Sequence, residues 1–132
     1  MAKISKEIQD FVQGKLGWVA TADASGLPNL APKGTLKVVD DETLVFADLF
    51  SLKTRANLEA NAQVAVAVVD KMTGYQFKGK TELLTSGPIF EEVTGGVKQA
   101  MPDLPGPKYV VKIKVESIYS LSPGPDAGKK IV

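Results

Sequence analysis

Thr43-Leu44-Val45-Phe46-Ala47-Asp48-Leu49-Phe50-Ser51-Leu52-Lys53-Thr54-Arg55-Ala56-Asn57-Leu58 decides the fold, because in it a short apolar run gives way to a helix. Thr43 to Ala47 reads as a strand. The spacing of Leu52, Ala56 and Ala60 then predicts a helix from Leu52 to Ala60, with Ser51 as its N-cap and Asn61 near its end. A helix start carrying Ser51, Lys53 and Thr54 offers free backbone N–H groups, hydroxyls and a cation to an anion, which suits a phosphate.

Upstream, Gly34 to Val39 and Thr43 to Ala47 flank the acidic turn Asp40-Asp41-Glu42, the pattern of an antiparallel pair. An earlier hairpin is predicted from Trp18 to Thr21 and Pro28 to Ala31 around Asp23-Ala24-Ser25-Gly26. Before it, Ser5 caps a short helix that buries Ile8, Phe11 and Val12 and ends near Gly14. Downstream, Val64 to Val69 has no polar member, so it reads as a central strand covered on both faces. Gly74 to Leu83 alternates as a long strand. Pro88 opens a helix that buries Ile89, Phe90, Val93 and Val97, with Gly95-Gly96 weakening it beyond the first turns. Met101 to Pro107 is a loop, and Val111, Ile113 and Val115 alternate with Lys112, Lys114 and Glu116 in a further strand. The segment Ser122 to Gly128, rich in proline and glycine, reads as irregular and surface-lying. Hairpin order throughout predicts a mainly β chain with short helices, an antiparallel barrel of six to seven strands in one domain over residues 1–132. Its valine-rich strands ask for more burial than one copy of so small a barrel supplies, which predicts a dimer.

Composition removes whole classes of chemistry. The 132 residues contain neither cysteine nor histidine. Thiol nucleophiles, iron–sulfur clusters, histidine-based triads and the usual zinc sites are therefore excluded. Sixteen basic residues against fifteen acidic ones, without a basic run, lack the footprint of a nucleic-acid or membrane-surface binder. No signal segment or membrane-length apolar run is evident, so a cytoplasmic protein is expected. Asp40-Asp41-Glu42 and Glu91-Glu92 have no neighbour in the sequence that would tune them for acid–base work. Any redox chemistry must come from a cofactor.

The two hairpins followed by the Ser-Lys helix start resemble the FMN-binding split-barrel family of pyridoxamine 5′-phosphate oxidase and the small bacterial FMN-binding proteins, over roughly Phe11 to Asp70. That resemblance implies a homodimeric split β-barrel with FMN as cofactor. It places the phosphate at Ser51, Lys53 and Thr54. Leu52 stands where the oxidases use an arginine, so one phosphate contact is missing unless Lys33 or Arg55 supplies it. The isoalloxazine ring would lie along Pro32, Lys33, Gly34, Thr35 and Leu36 on one strand and Ala47 and Asp48 on the other, mainly on backbone groups. Gly34 would let the backbone approach a flat ring. The partner subunit would complete the pocket through Gly74 to Leu83, with Gln76 a candidate. The oxidases grip their substrate with a C-terminal arginine and histidine pair; this chain ends Lys129-Lys130-Ile131-Val132, which argues against pyridoxamine phosphate oxidation.

The expectation is thus an FMN oxidoreductase with no catalytic side chain and no metal, exchanging electrons or hydride with a small molecule or nicotinamide. The alternatives are a non-enzymatic FMN electron carrier, or a split barrel for deazaflavin or haem. On the plainest reading Ser51, Lys53 and Thr54 are the first turn of an ordinary capped helix, Asp48 is a turn residue and Trp18 is a core or interface side chain.

Overall fold

The computed structural model describes residues 2–132. These form α1 (Lys6–Val12), β1 (Gly17–Ala22), β2 (Pro28–Lys33), β3 (Lys37–Asp40), β4 (Thr43–Asp48), α2 (Leu52–Ala60), β5 (Gln63–Asp70), β6 (Thr73–Leu84), α3 (Pro88–Ala100) and β7 (Tyr109–Ser120). The strands make one antiparallel sheet in the order β2-β1-β5-β6-β7-β4-β3. β2 and β3 are neighbours in the chain yet lie at opposite edges of the sheet. Residues 34–36 must therefore cross from one edge to the other, and that crossing closes the barrel without a ladder. Leu36 seals it: its side chain is buried and its terminal methyl packs against Gly17, so a Cβ there would make the leucine shift.

This crossing corrects the expected strand Gly34–Val39, since pairing begins only at Lys37. A second correction concerns which strand is covered on both faces. In β5 the inward Val64, Val66 and Val68 are buried, but Ala65 and Ala67 are half-buried and Val69 is exposed. The doubly covered strand is β4, buried at all six positions. Its Leu44 and Phe46 face the barrel interior with Val19, Phe77, Val111 and Ile113, while Val45 and Ala47 face outward under α3.

Helix α3 runs through Gly95-Gly96 to Ala100 because Val93 and Val97 dock on Val45, Ala47 and Val110. Each such side chain contributes about 1.5–3 kcal/mol of burial, which outweighs roughly 1 kcal/mol lost at each helical glycine. At the amino end, Ser5 Oγ caps α1 by accepting from the Ile8 N–H at 3.3 Å, and Gly14 takes a positive φ of 76°. The carboxyl-terminal segment lies on the surface but is tied to β7, with Ile131 N–H donating to Ile118 O at 2.7 Å and Ser120 N–H to Lys129 O at 3.0 Å. Among the described residues no helix is long and apolar enough to cross a membrane.

Candidate functional site

Where the barrel is split, the ends of β2 and β4 and the start of α2 come together. Helix α2 sits beneath β1 and β2 and presents a polar buried face. Asn57 Nδ2 donates to Thr21 Oγ1 at 3.0 Å, and Asn29 Nδ2 reaches Thr54 Oγ1 at 3.5 Å. Thr54 and Asn57 are buried at 1% and 2% exposure. The helix is thus anchored by hydrogen bonds, which its position at the open end of the barrel rewards because a buried polar group without a partner is costly.

The first turn of α2 differs from the expected one. Ser51 occupies the N-cap position but makes no capping hydrogen bond; its hydroxyl donates to Asp48 Oδ1 instead. The charged acceptor wins because charge-assisted hydrogen bonds are the stronger kind. Asp48 in turn pairs with Arg55, whose Nε lies 3.6 Å from Oδ2 and whose guanidinium sits 5.4 Å from the Tyr109 ring centroid. No side chain therefore caps α2, and its opening N–H groups, which have no intrahelical acceptor, face whatever lies at the helix start. Lys53, in this first turn, is an exposed cation within electrostatic reach of Asp23 in the β1–β2 turn.

Beside this turn lies a cleft of about 370 Å³, lined by Pro32, Lys33, Gly34, Thr35, Ala47, Leu49, Phe50, Met101 and Leu104. Leu49 and Phe50 line it and lead directly into Ser51, so the cleft and the helix start adjoin. Its walls are apolar, with Phe50 75% exposed. A Cβ on Gly34 would meet nothing within 4 Å, leaving backbone open to a flat ligand. The Thr35 hydroxyl accepts from Ala47 N–H at 2.9 Å and lies 3.4 Å from Ala47 O. It stands in for the strand partner that β4 lacks beyond β3, and Ala47 has no free N–H for a ligand. Lys33 is buried at 7% exposure, its ammonium 5.7 Å from the Phe46 ring centroid. Burial pushes its pKa down, partly offset by the nearby Asp48 carboxylate.

Of the residues singled out in the sequence, Pro32, Lys33, Gly34, Thr35 and Ala47 line the cleft, and Asp48 and Ser51 form its neighbouring polar turn. Lys53 and Thr54 lie at the helix start, one exposed and one buried. Leu36 is the exception: its side chain is 4% exposed in the barrel core, leaving its backbone alone for a ligand. Of the two candidates for the missing cation, Arg55 is committed to Asp48 and Tyr109. Leu49, Phe50, Met101 and Leu104 were not singled out. An exposed phenylalanine just before a polar helix is a usable signal for the first two; nothing in the pattern of the loop after α3 marks the others.

An apolar cleft of ring size with an uncapped helix start at one end and an unpaired lysine in its wall fits a flat heterocycle carrying a phosphate. Known proteins similar to this chain agree on its descent. The pyridoxamine 5′-phosphate oxidase family model matches residues 4–122. An uncharacterized protein of Methanocaldococcus jannaschii is 38% identical over 137 aligned residues, covering 99% of this chain and 89% of that one. The crystal structure of HupZ from group A Streptococcus shares 35% identity and a TM-score of 0.82, over 95% of this chain and 99% of its own. An FMN-binding protein from Syntrophomonas wolfei superposes with a TM-score of 0.77 over 90% of this chain and 84% of its own, at 18% identity. At similarly low identity the fold is shared with a haem storage protein and an F420 reductase, so likeness at that level gives the fold and not the ligand. On the extent of the family match and the identity of its nearly full-length relatives, this chain belongs to the pyridoxamine 5′-phosphate oxidase-like family of split β-barrels.

Proposed function

We propose that this protein binds FMN at the split of the barrel as a homodimer and serves as an oxidoreductase other than a pyridoxamine phosphate oxidase. The observation that carries the reading is the uncapped start of α2 adjoining the apolar cleft. The N–H groups at that start and the Lys53 ammonium hold the phosphate, and Thr54 keeps the helix seated through Asn29. Pro32, Gly34, Leu49 and Phe50 bound the ring and exclude water from it. The flavin supplies the redox chemistry when bound, and no side chain is required as acid or base.

The dimer reading rests on the outer face of β2, β1 and β5. Pro32, Trp18 and Ala67 stand in one cross-strand row, and Leu30, Ala20 and Ala65 in the next. Trp18 is 42% exposed and Leu30 62%. This apolar face is uncovered in one copy and ends at Pro32, a wall of the cleft, so a second copy seated on it completes the site. The rows continue across β6 to Gln76 and Lys78, which puts Gln76 of the same face within reach of that interface.

The test is the absorption spectrum of the purified protein followed by FMN titration and mass determination in solution. Saturable FMN uptake by a dimer supports the reading, and reduction of the bound flavin by a nicotinamide separates an enzyme from a carrier. Uptake of haem or deazaflavin in place of FMN would replace it. Trp18→Glu is expected to shift the mass to that of a monomer and to weaken FMN binding with it.

A further inference from the structure

Lys33 is a largely buried residue whose ammonium has no ion-pair partner among the described residues. It lies on the inward face of β2 opposite Gly17, and its 7% exposure is that of a core residue. Among the described residues, no carboxylate comes within 4.0 Å of its ammonium nitrogen. Asp48 is the charged neighbour that it feels, but that carboxylate is already held by Arg55 and by the Ser51 hydroxyl. Arg55 is the other charged group on this side of the cleft, and the remaining lining residues (Pro32, Thr35, Leu49, Phe50, Met101) are neutral. The Phe46 ring at 5.7 Å offers a weak cation–π contact and no proton acceptor. An ammonium ion partly withdrawn from water gains from an anion brought to it, and the cleft that Lys33 lines is open to one.

This inference rests on the flavin reading and goes a step beyond it. An oxidised flavin ring is neutral. Taking up two electrons and one proton, as in hydride transfer from a reduced nicotinamide, it becomes an anion with its charge over the N1–C2 carbonyl edge. We propose that Lys33 is the resident counter-charge for the reduced flavin, so that the site holds reduced FMN more tightly than oxidised FMN. Lys33 then sets the direction of electron flow: a site that favours the reduced cofactor accepts electrons readily from its donor and yields them only to a stronger oxidant. Charge beside the ring is one of the means by which a protein tunes a bound flavin. The Asp48 carboxylate is shared with Arg55 and the Ser51 hydroxyl, so it offsets the lysine only in part.

The experiment compares wild-type protein with Lys33→Met by titrating each with oxidised FMN and with dithionite-reduced FMN under anaerobic conditions. The wild type is expected to prefer reduced FMN by at least about tenfold. Lys33→Met is expected to lose about tenfold of that preference, read as the ratio of its affinities for reduced and oxidised FMN. Tenfold corresponds to a two-electron potential lower by about 30 mV, measurable with a reference dye. Lys33→Gln, neutral but still polar, is expected to behave like Lys33→Met and serves if the methionine variant does not fold. FMN uptake by both variants with an unchanged preference for the reduced form would overturn the assignment of Lys33 alone. Failure of the wild-type protein to take up FMN would overturn the flavin reading and this inference together.

Discussion

The barrel has a sewn side and an open side. Along the β6–β7 ladder, pairing runs from Tyr75 with Ser120 to Leu84 with Val110, interrupted by one bulge at Lys78–Gly79. At the opposite side, β2 and β3 never meet, and residues 34–36 span the gap as a single thread. The sewn side tolerates no addition: at Gly79 a Cβ would collide with the Lys114 carbonyl oxygen, which makes glycine a requirement of close backbone approach. On the open side a Cβ at Gly34 meets nothing within 4 Å. Backbone groups that elsewhere satisfy one another are here served by a threonine side chain, or left for a ligand. On the function proposed above, a barrel of this design binds its ligand where its hydrogen-bonding is incomplete.

The contrast is broken most severely at Gly79. Gly79→Val is expected to cost more than about 3 kcal/mol and to leave little folded protein, whereas Gly34→Ala should change stability by no more than about 0.5 kcal/mol. Denaturant melts of the two variants decide it; equal losses would mean that the split carries as much of the fold as the ladder. Next in size, Lys53→Ala combined with Thr54→Ala is expected to lower FMN affinity by one to two orders of magnitude, as loss of a charge-assisted contact worth roughly 1.5–3 kcal/mol implies. Unchanged affinity in a folded double variant would reduce the helix start to architecture.

A smaller effect sharpens the comparison from the side of stability. Lys33→Met should stabilise the ligand-free protein by about 1 kcal/mol near neutral pH, because it removes an unpaired charge from a buried place. Burial depresses the folded-state pKa of Lys33 below the 10.5 of the unfolded chain. The unfolded state therefore binds more protons between those two values, and the wild type gains stability as pH rises through that window. The advantage of the methionine variant should accordingly be full below the folded-state pKa and shrink above it; thermal melts against pH read this directly. The smallest change is Gly95→Ala, where nothing lies within 4 Å of the new Cβ. It should stabilise α3 by about 0.5–1 kcal/mol and leave FMN binding untouched.

Strand periodicity and turn chemistry made most of the fold legible. The helix Leu52–Ala60 stands where its spacing placed it, and each of the seven strands overlaps an expected run. The departures have a common cause in tertiary context. Gly34–Leu36 carries strand-like residues but crosses between sheet edges, a fact of topology that no local pattern contains. Val64 to Val69 is more uniformly apolar than Thr43 to Asp48, yet the latter is covered twice, because α3 returns over β4 and not over β5. Helix α3 persists through two glycines because it is docked. The cleft walls from β2 and β4 were legible in part, since they flank the helix start; Met101 and Leu104 were not, because they reach the cleft only through the path of the loop after α3. Ser51 shows how a correct position can hide a different bond: a residue at the N-cap was visible in the sequence, but a carboxylate three residues earlier takes its hydroxyl.

The pairing of β4 with β7 also governs how the chain is made. Asp48 finds its ladder partner in Tyr109, and Thr43 in Lys114. At a synthesis rate of roughly 5–20 residues per second, the strand that ends up most deeply enclosed must wait about 3–12 s for its neighbour to be translated. Through that interval Leu44-Val45-Phe46-Ala47 is an apolar edge on a nascent chain, paired on one side with β3 alone. The acidic turn Asp40-Asp41-Glu42 beside it places charge next to that run, the arrangement that deters one unfinished chain from adhering to another on the same messenger.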